Sequence, residues 1–370
     1  MIGTTLFNLR NRLLSSAKFR RWAQKLPITQ RVANHRATEL FRIASGFIHS
    51  QVLLACVRLA LFERLAAGPV DAATLAAEAG MPEDRMQHLL RAAAALELLE
   101  FRPDASVGLG RLGATMVGNE SLASLVEHHS LVYEDLDNPV RLFAEAGRET
   151  RMMRLWPYAQ SDNPDALVAE DVASYTALMA SSQTMVAEQV VDAFSFRNHA
   201  TLLDIGGGAG AFAMAVARRW SHMQVTVADL PAVAELARRA VDQAGLGERV
   251  HTVGADATAG ELPTGFDVVS LIRIVHDHDD ERALSMLRSA RRALKPDGTL
   301  LIAEPLAGKD PAGALIDAYF NVYLLAMGSG RPRSIEGLSE LVTAAGFGPI
   351  RRHRAPVSLV TSVVSAQPSI

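Results

Sequence analysis

The 370-residue sequence is poor in the residue types that mark several specialised classes of protein. Cys56 is its single cysteine, which excludes a disulfide framework and a cysteine-based zinc site. No unbroken apolar run reaches the roughly 18 residues of a membrane-spanning helix, so no such helix is expected. The 37 Lys and Arg nearly balance 40 Asp and Glu, which argues against a general nucleic-acid binder. Hydrophobic residues make up 49% of the chain and suffice for real cores, and the length favours two domains.

Acidic residues are absent from residues 1–36, where eight Lys and Arg give a charge of +8. The other positions, with 29 basic against 40 acidic side chains, carry −11. Apolar side chains are interleaved with the N-terminal charges, namely Phe7, Leu9, Leu13, Leu14, Phe19, Trp22 and Leu26. Such a segment suits an anionic membrane surface, or it packs as an arm against a partner subunit. Because basic residues interrupt it, it lacks the apolar core of a secretory signal. We expect a cytoplasmic protein, peripheral on the inner or intracytoplasmic membrane if the first interpretation holds.

Helical periodicity dominates the first half of the chain. Apolar residues recur at helical spacing over 38–67. A short helix is predicted over 71–80 and another from Pro82 onward, followed by two short extended stretches at 98–101 and 107–112. This order is typical of a winged-helix unit. The second helix mixes acidic and basic residues, so a dimerisation or lid role is favoured over DNA reading.

The second half alternates between short apolar runs and helical stretches. Residues 113–195 are predicted to be mostly helical, with breaks near Asn138-Pro139 and at 161–164. The predicted strands beyond them are 201–205, 224–228, 249–253, 267–272, 299–303 and 357–365. The predicted helices are 211–219, 231–243, 280–294 and 334–345. This alternation predicts an α/β fold, with an open and mostly parallel sheet that binds ligands beyond the carboxyl ends of its strands.

A glycine-rich segment, Leu202–Gly210, follows the first predicted strand and precedes a helix. Glycines allow a tight turn and a close approach of the backbone to a ligand, but this pattern alone also fits a dinucleotide. Two strand-end acids narrow the choice: Asp229 is placed to accept both ribose hydroxyls, and Asp256 to hold an adenine amino group. A nicotinamide enzyme has no standard need for Asp256, and no P-loop lysine follows the glycines. An adenosyl ligand without phosphates, S-adenosylmethionine, fits best.

From about residue 170 to the end, and more loosely from 38, the chain resembles the class I S-adenosylmethionine-dependent O-methyltransferases of the caffeic acid and acetylserotonin type. The segments that carry the resemblance are Leu203–Gly210, Asp229–Pro231, Gly254–Asp256, Val275–Asp280, Leu294–Gly298 and Ile302–Pro305. The resemblance implies a Rossmann-like methyltransferase sheet whose last strand is antiparallel. It also implies an N-terminal winged-helix domain that forms a homodimer and closes over the substrate, which we expect to be a small, lipophilic and hydroxylated molecule. The expected domains are an arm at 1–37, a dimerisation and lid domain at 38–170, and a methyltransferase domain at 171–370.

The motifs and the resemblance together assign the cofactor-binding residues, with Arg273 placed where a lysine of the family often contacts the cofactor. These residues are Asp204, Gly206, Gly208, Asp229, Leu230, Asp256, Ala257 and Arg273.

His276 follows the strand predicted at 267–272, on the ligand side of the sheet. Methyl transfer from a sulfonium requires a base within reach of the acceptor hydroxyl, and histidine is partly neutral at pH 7. Glu304, at the end of the next strand, is placed to orient and stabilise the ring. The resemblance assigns the same two roles, catalytic base and supporting acid. A second acid that the family often has is replaced here by Pro332, so either Glu304 alone supports His276 or catalysis relies more on proximity.

The run from His276 to Asp280 also looks like a metal cluster, but consecutive residues cannot all converge on one ion, and no metal is expected. Asp279 and Asp280 instead favour the N-terminus of the following helix.

The acceptor is less clearly indicated. The apolar stretch 313–327, with Met152, Met153, Met179 and Met185, either lines an apolar pocket or forms helix core. The N-terminal segments Phe19–Trp22, Phe47–Val52 and Ala55–Phe62 resemble the bacterial carotenoid enzymes, which methylate the tertiary 1-hydroxyl of hydroxyneurosporene or demethylspheroidene in phototrophs. A phenolic or polyketide hydroxyl remains an alternative substrate. The competing functions are a winged-helix regulator with a sensing adenosyl site and a nicotinamide oxidoreductase.

Overall fold

The computed structural model describes residues 2–23, 25, 27–145, 147–155, 183–258, 262–354 and 361–369. The chain divides into two compact units, Met1–Gly118 and Asn119–Ile370.

The first unit is built mainly from helices. They are α1 (Ile2–Ser15), α2 (Ala17–Ala23), α3 (Pro27–Arg58), α4 (Leu61–Ala66), α5 (Ala72–Glu78) and α6 (Glu83–Ala95). The helix predicted over 38–67 is therefore two helices. Its longer part begins earlier, at Pro27, where a proline is well tolerated in the first turn. The break falls at Ala60, which has a left-handed φ of 50° that a continuous helix does not allow.

The end of this unit confirms the winged-helix prediction. Asp71 caps α5 by accepting a hydrogen bond from the backbone N–H of Thr74 at 2.8 Å. Two short strands, β1 (Leu99–Phe101) and β2 (Val107–Leu109), pair antiparallel after α6. Buried side chains from the helices and the wing form the apolar interior, among them Phe62, Leu75, Met86, Leu90 and Leu99.

Helix α3 departs from one expectation. The prediction that no helix is long and apolar enough to cross a membrane is wrong by length and composition, because Thr29–Arg58 meets both criteria. An unbroken apolar run is too strict a test, since isolated polar residues are tolerated in such a helix. Only 11% of its apolar stretch is buried. Large side chains stand exposed along it, namely Leu40, Phe41, Ile43, Phe47 and Ile48.

The second unit contains a seven-stranded sheet. Its strands are β3 (Thr201–Ile205), β4 (Gln224–Asp229), β5 (Val250–Gly254), β6 (Phe266–Ile272), β7 (Leu294–Glu304), β10 (Arg351–His353) and β11 (Ser362–Ala366). Their spatial order is β10-β11-β7-β6-β3-β4-β5. The five strands from β7 to β5 are parallel, whereas β11 runs antiparallel to β7 and to β10. This confirms the predicted mostly parallel sheet with an antiparallel last strand.

Two strand predictions need adjustment, and one strand has no counterpart among the predictions. The strand placed at 299–303 extends over Leu294–Glu304, and β10 was not predicted. Of the strand placed at 357–365, the part from 361 onward lies in or beside β11, and 355–360 lie outside the described residues.

Helices cover both faces of the sheet. They are α11 (Ala211–Arg219), α12 (Pro231–Gln243), α13 (Asp280–Ala293) and α15 (Ile335–Ala344). Successive strand residues point to opposite faces: Leu202 and Val268 join one apolar cluster, and their neighbours Leu203 and Val269 join the other. Because both faces are buried, the central strands β3 and β6 contain the unbroken apolar runs Leu202-Leu203 and Val268-Val269 instead of alternating with polar residues there.

A further group of helices forms its own apolar cluster. They are α7 (Glu120–Asp135), α8 (Pro139–Ala144), α9 (Arg151–Leu155) and α14 (Pro311–Met327). Helix α10 (residues 183–193) instead packs into the sheet cluster that contains Leu202, through Val186 and Val190. Ile316, Phe320 and Leu324 of α14 pack with Val132, Leu142 and Met152. Two short parallel strands, β8 (Leu306–Ala307) and β9 (Arg333–Ser334), flank α14. The helix break predicted at 161–164 and Met179 lie outside the described residues.

Candidate active site

A cavity lies beyond the carboxyl ends of the central parallel strands, where the strand order predicts a ligand. Its empty space, together with the open solvent at its mouth, is about 1400 Å³. All eight residues predicted to bind the cofactor line it, together with His276. Glu304 is the one predicted site residue that does not line the cavity, and it contacts His276 from behind.

Two positions in the glycine-rich loop after β3 leave no room for a side chain. Gly206 has φ +66°, and a Cβ there would lie 2.8 Å from the Ile274 side chain. At Gly207 a Cβ would lie 2.6 Å from Oδ2 of Asp204. The backbone therefore forms one wall of the cavity.

Asp229, at the end of β4, is held by this loop. Its Oδ2 accepts a hydrogen bond from the N–H of Gly208, and its Oδ1 from the N–H of Leu230, each at 2.8 Å. Burial raises the pKa of Asp229 to about 6, against the effect of those two donors. Each carboxylate oxygen retains lone-pair capacity for a further donor such as a ribose hydroxyl.

Asp204, at the end of β3, is buried and only half satisfied. Its Oδ1 accepts a hydrogen bond from Ser270 Oγ at 2.7 Å, whereas its Oδ2 is buried without a hydrogen-bond partner. Burial, and to a lesser extent Asp229, raises the pKa of Asp204 to about 7. A buried carboxylate oxygen of this kind is costly unless a ligand donor or cation pairs with it.

Two further predicted residues complete the far wall. Asp256 is oriented by Thr258, whose N–H and hydroxyl both donate to its Oδ1 at 2.7 Å. Arg273 adopts a left-handed φ of 55°, and its N–H donates to the carbonyl of Ala303 at 2.8 Å. Its Nε is buried and has no partner among the described residues.

These features fit S-adenosylmethionine. The glycine loop gives close backbone approach, Asp229 and Asp256 can accept from ribose and adenine, and the orphaned Asp204 oxygen suits a cationic or N–H donor group. In the described part of the chain, no group of three or more His, Cys, Asp or Glu is arranged to hold a metal ion.

His276 lies in a single turn, Val275–Asp277, directly after β6. Its ring is buried, and its Nδ1–H donates to Oε2 of Glu304. The other carboxylate oxygen of Glu304 accepts from the N–H groups of Ile274 and Val275 at 3.0 and 2.7 Å. Glu304 therefore holds both the ring and the backbone of the turn, and this fixes which ring nitrogen faces the cavity.

Asp277 is a site residue that sequence reasoning missed. Its Oδ1 lies 3.1 Å from Nε2 of His276. Burial alone would lower the pKa of His276, but the carboxylates of Asp277 and Glu304 outweigh it and raise that pKa above 6.5. In the sequence, Asp277 stands within a metal-like run from His276 to Asp280, and that pattern gives no signal that its carboxylate faces Nε2 of His276.

The segment around Pro332 serves a purpose that its sequence did not reveal. Arg333 is buried, and its guanidinium donates to the carbonyls of Val275 at 2.6 Å and His278 at 2.8 Å. It also pairs with Asp280 at 2.8 Å. A Cβ on Gly330 would lie 2.2 Å from the carbonyl oxygen of His276, so only glycine fits there. At the place where the family often has a second acid, the segment from Gly330 to Arg333 therefore packs against the His276 turn and holds it in position.

Asp279 caps α13 as predicted, by accepting a hydrogen bond from the N–H of Arg282.

Helix α14 contributes part of the cavity wall. Tyr323 and Met327 line the cavity, whereas Ile316, Phe320 and Leu324 are buried in the apolar cluster. The apolar stretch 313–327 is thus both core and cavity wall. Met152 belongs to the core, and Met153 packs against Gly328.

Known proteins place this geometry in context. Residues 145–348 match the O-methyltransferase domain, and residues 41–126 match the O-methyltransferase dimerisation domain. Demethylspheroidene O-methyltransferase of Cereibacter sphaeroides is 37% identical over 98% of this chain and 96% of its own length. The enzyme of the same name from Rhodobacter capsulatus is 34% identical over 97% of this chain and 89% of its own length.

A solved structure shares the fold. Human N-acetylserotonin methyltransferase in complex with S-adenosylmethionine has a TM-score of 0.71, with 23% identity, over 90% of this chain and 98% of that one. The match of residues 41–126 supports a homodimer. With a matched catalytic domain, a matched dimerisation domain and relatives above 30% identity along nearly its whole length, this chain belongs to the family of S-adenosylmethionine-dependent O-methyltransferases.

Proposed function

We propose that this enzyme methylates the 1-hydroxyl of an acyclic carotenoid, with hydroxyneurosporene and demethylspheroidene as the candidate acceptors. The observation that carries the proposal is the similarity, along nearly the whole chain, to two enzymes named for demethylspheroidene. The apolar part of the cavity wall, with Met286, Tyr323 and Met327, is compatible with a long hydrocarbon. We also propose a functional division of the chain into an arm (1–37), a dimerisation and lid domain (38–170) and a methyltransferase domain (171–370), whose last boundary falls later in the chain than the division between the two compact units after Gly118.

The residues of the cavity, together with Glu304, have distinct proposed roles in cofactor binding and proton transfer. S-adenosylmethionine, when bound, supplies an electrophilic methyl group on a cationic sulfur. Asp229 and Asp256 would accept from its ribose and adenine, Asp204 would face its cationic end, and the backbone of Gly206, Gly208, Leu230 and Ala257, with Arg273, would enclose it. His276 Nε2 accepts the proton of the acceptor hydroxyl, and Glu304 stabilises the imidazolium that results.

The protonation state of His276 sets a condition on this step. A tertiary hydroxyl is far less acidic than a phenol, so its proton leaves only as the new oxygen–carbon bond forms. His276 must be neutral to accept it, whereas Asp277 and Glu304 favour the imidazolium. The acceptor hydroxyl therefore has to displace or share the contact between Nε2 and Asp277 Oδ1.

The test uses purified protein with S-adenosylmethionine and, separately, demethylspheroidene in detergent and a panel of phenols. Mass spectrometry should show the gain of one methyl group on the carotenoid. His276→Ala should bind S-adenosylhomocysteine as tightly as the wild type by calorimetry but lose turnover. Methylation of phenols alone would overturn the carotenoid assignment. No binding of S-adenosylhomocysteine would argue instead for a different cofactor.

One observation favours a second acceptor class, a phenolic or polyketide hydroxyl. The Phe320 ring meets the His276 ring edge to face, with centroids 5.3 Å apart, and Tyr323 continues this aromatic group. Of these two residues of α14, Tyr323 lines the cavity, and an aromatic ring there also suits a flat acceptor. The phenol panel distinguishes the two classes.

We further propose that residues 1–36 hold the cytoplasmic enzyme on the inner or intracytoplasmic membrane. Helix α1 exposes Leu6, Phe7 and Leu9 next to Arg10 and Arg12. Apolar anchors among basic residues bind anionic lipid surfaces, and each charge contributes about 1 kcal/mol.

Cosedimentation with vesicles tests the membrane proposal. The full chain should bind phosphatidylglycerol vesicles and not phosphatidylcholine ones, and Arg10→Glu with Arg12→Glu should reduce binding at least tenfold. Arg85→Glu with Arg91→Glu makes the same charge change on exposed side chains of α6 and is the control. Equal binding by both double variants would refute the assignment.

A further inference from the structure

Two histidines of α7 pair with two tyrosines of α14. His128 Nε2 lies 2.7 Å from the hydroxyl of Tyr323, and His129 Nε2 lies 2.8 Å from the hydroxyl of Tyr319. The two tyrosine rings stack, with centroids 5.5 Å apart. The two pairs have the same chemistry and lie one helical turn apart on α14.

Only one of the pairs reaches the cavity. Tyr323 lines it together with His276 and Asp277, whereas Tyr319 is not among the described residues that do so. Tyr323 and His276 both contact the Phe320 ring, with centroid distances of 6.0 and 5.3 Å. The Tyr323 side chain therefore belongs to the part of the cavity wall near the base.

Burial keeps this pair neutral. It lowers the pKa of His128 to about 4 and raises that of Tyr323, so near pH 7 the imidazole carries one proton and the phenol keeps its own. Nδ1 of His128 is buried and has no partner in the described structure. A proton on Nδ1 would leave an orphaned N–H, which is among the least tolerated buried groups. The proton therefore belongs on Nε2 and is donated to the Tyr323 oxygen.

This arrangement leaves the Tyr323 O–H free to donate. We propose that Tyr323, oriented by His128, donates a hydrogen bond to the oxygen of the acceptor hydroxyl and so selects acceptors that present a hydroxyl there. The inference rests on the proposed function, because it requires a hydroxylated acceptor. One lone pair of the acceptor oxygen forms the bond to the methyl carbon, the other accepts from Tyr323, and its proton faces His276 Nε2. On an acceptor that is otherwise apolar, this contact pairs the single buried hydroxyl and fixes its direction.

The experiment compares two binding constants in protein saturated with S-adenosylhomocysteine. One is the constant for a hydroxylated carotenoid, and the other is the constant for the same carotenoid without its hydroxyl. Both are measured from the shift in carotenoid absorbance on binding. The variant is Tyr323→Phe. The matched control is Tyr319→Phe, which removes the same hydroxyl from the same kind of pair away from the cavity.

We expect the wild type and Tyr319→Phe to bind the hydroxylated carotenoid about tenfold more tightly than the deoxy form, as one hydrogen bond allows. Tyr323→Phe should reduce this ratio to about twofold or less. A merely structural role for Tyr323 would weaken both ligands equally and leave the ratio unchanged, which would overturn the inference. An equal loss of the ratio in both variants would overturn it as well.

Two measurements keep the outcome interpretable. Affinity for S-adenosylhomocysteine within threefold of the wild type shows that a variant is folded. If Tyr323→Phe does not fold, His128→Gln, which keeps an N–H donor, should preserve the ratio, and His128→Leu should lose it. If the wild type methylates phenols and not carotenoids, the proposed acceptor is wrong. The same ratio, measured with a phenol and its deoxy analogue, then decides the role of Tyr323.

Discussion

Replacement of Glu304 by glutamine tests whether the Glu304 carboxylate determines the tautomer of His276, the proposed base. The carboxylate accepts three hydrogen bonds: Oε1 takes the N–H groups of Ile274 and Val275, and Oε2 takes Nδ1–H of His276. Glutamine has one acceptor oxygen and one NH₂ donor group. If its oxygen keeps the two backbone donors, its NH₂ faces Nδ1 and forces the His276 proton onto Nε2. The ring would then present a proton where it should present a lone pair.

The magnitude follows from this tautomer. General base catalysis contributes about 10²–10⁴-fold, and the wrong tautomer removes nearly all of it. Glu304→Gln should therefore lower kcat by about 10²–10⁴-fold, close to the loss in His276→Ala. Its free energy of unfolding should fall little, because both backbone N–H groups keep an acceptor. Glu304→Ala leaves both without one, at about 1–3 kcal/mol each, and should lose stability as well as turnover.

The assay combines single-turnover methyl transfer, calorimetric titration with S-adenosylhomocysteine, and urea unfolding. Cofactor affinity should stay within about threefold in both Glu304 variants, since Glu304 does not line the cavity. A Glu304→Gln enzyme that is folded and turns over within tenfold of the wild type would refute the reasoning, because the carboxylate would then not determine the tautomer.

Three further predictions concern charged groups. Asp277→Asn removes a carboxylate that raises the pKa of His276, so the acid limb of the kcat/KM profile should move to lower pH; an unmoved limb would contradict that coupling. Asp229→Asn should weaken S-adenosylhomocysteine binding at least about 30-fold by calorimetry, from about 2 kcal/mol of lost charged hydrogen bonding. Wild-type affinity should also fall below about pH 6 as Asp229 is protonated, and affinity that is flat to pH 5 would oppose this. Asp267→Asn removes an acceptor for the N–H groups of Ala200 and Thr201 and for Lys295, so urea unfolding should show a loss of about 1.5–3 kcal/mol. Burial opposes ionisation of Asp267, but these donors lower its pKa from 3.8 to about 2. Its contribution to the free energy of unfolding should therefore be present above pH 4 and lost as the pH falls towards 2. If the variant and the wild type lose stability equally in acid, this reasoning is wrong.

That the acids proposed to bind the cofactor lie around one cavity was predictable, because they follow directly from strand ends. Asp204, Asp229 and Asp256 each sit at or just after an apolar run, and parallel strands bring such positions to one edge of the sheet. His276 and Glu304 follow the same rule on β6 and β7, two neighbouring strands of that sheet. Local sequence patterns suffice when the sheet itself does the positioning.

The contacts that the sequence did not reveal join residues far apart in the chain. His128 and Tyr323 are 195 positions apart, and Arg333 reaches back 58 positions to Val275. Such pairs depend on how α7 and the segment after α14 pack, which no local periodicity encodes. The left-handed Ala60, which splits the predicted 38–67 helix, has no glycine or proline to announce it either.

Helix α14 ends at Met327, three residues before Gly330, where the clamp on the His276 turn begins. The helix that lines the proposed acceptor space and the segment that holds the His276 turn are therefore one continuous stretch of chain. A substitution on α14 that enlarges or reshapes the acceptor space should therefore also shift the His276 turn, because only a few residues separate α14 from the segment that holds this turn. Broadened substrate scope and altered turnover should arise together in variants of this helix, and restoring rate to such a variant will require compensating changes between Gly328 and Ser334.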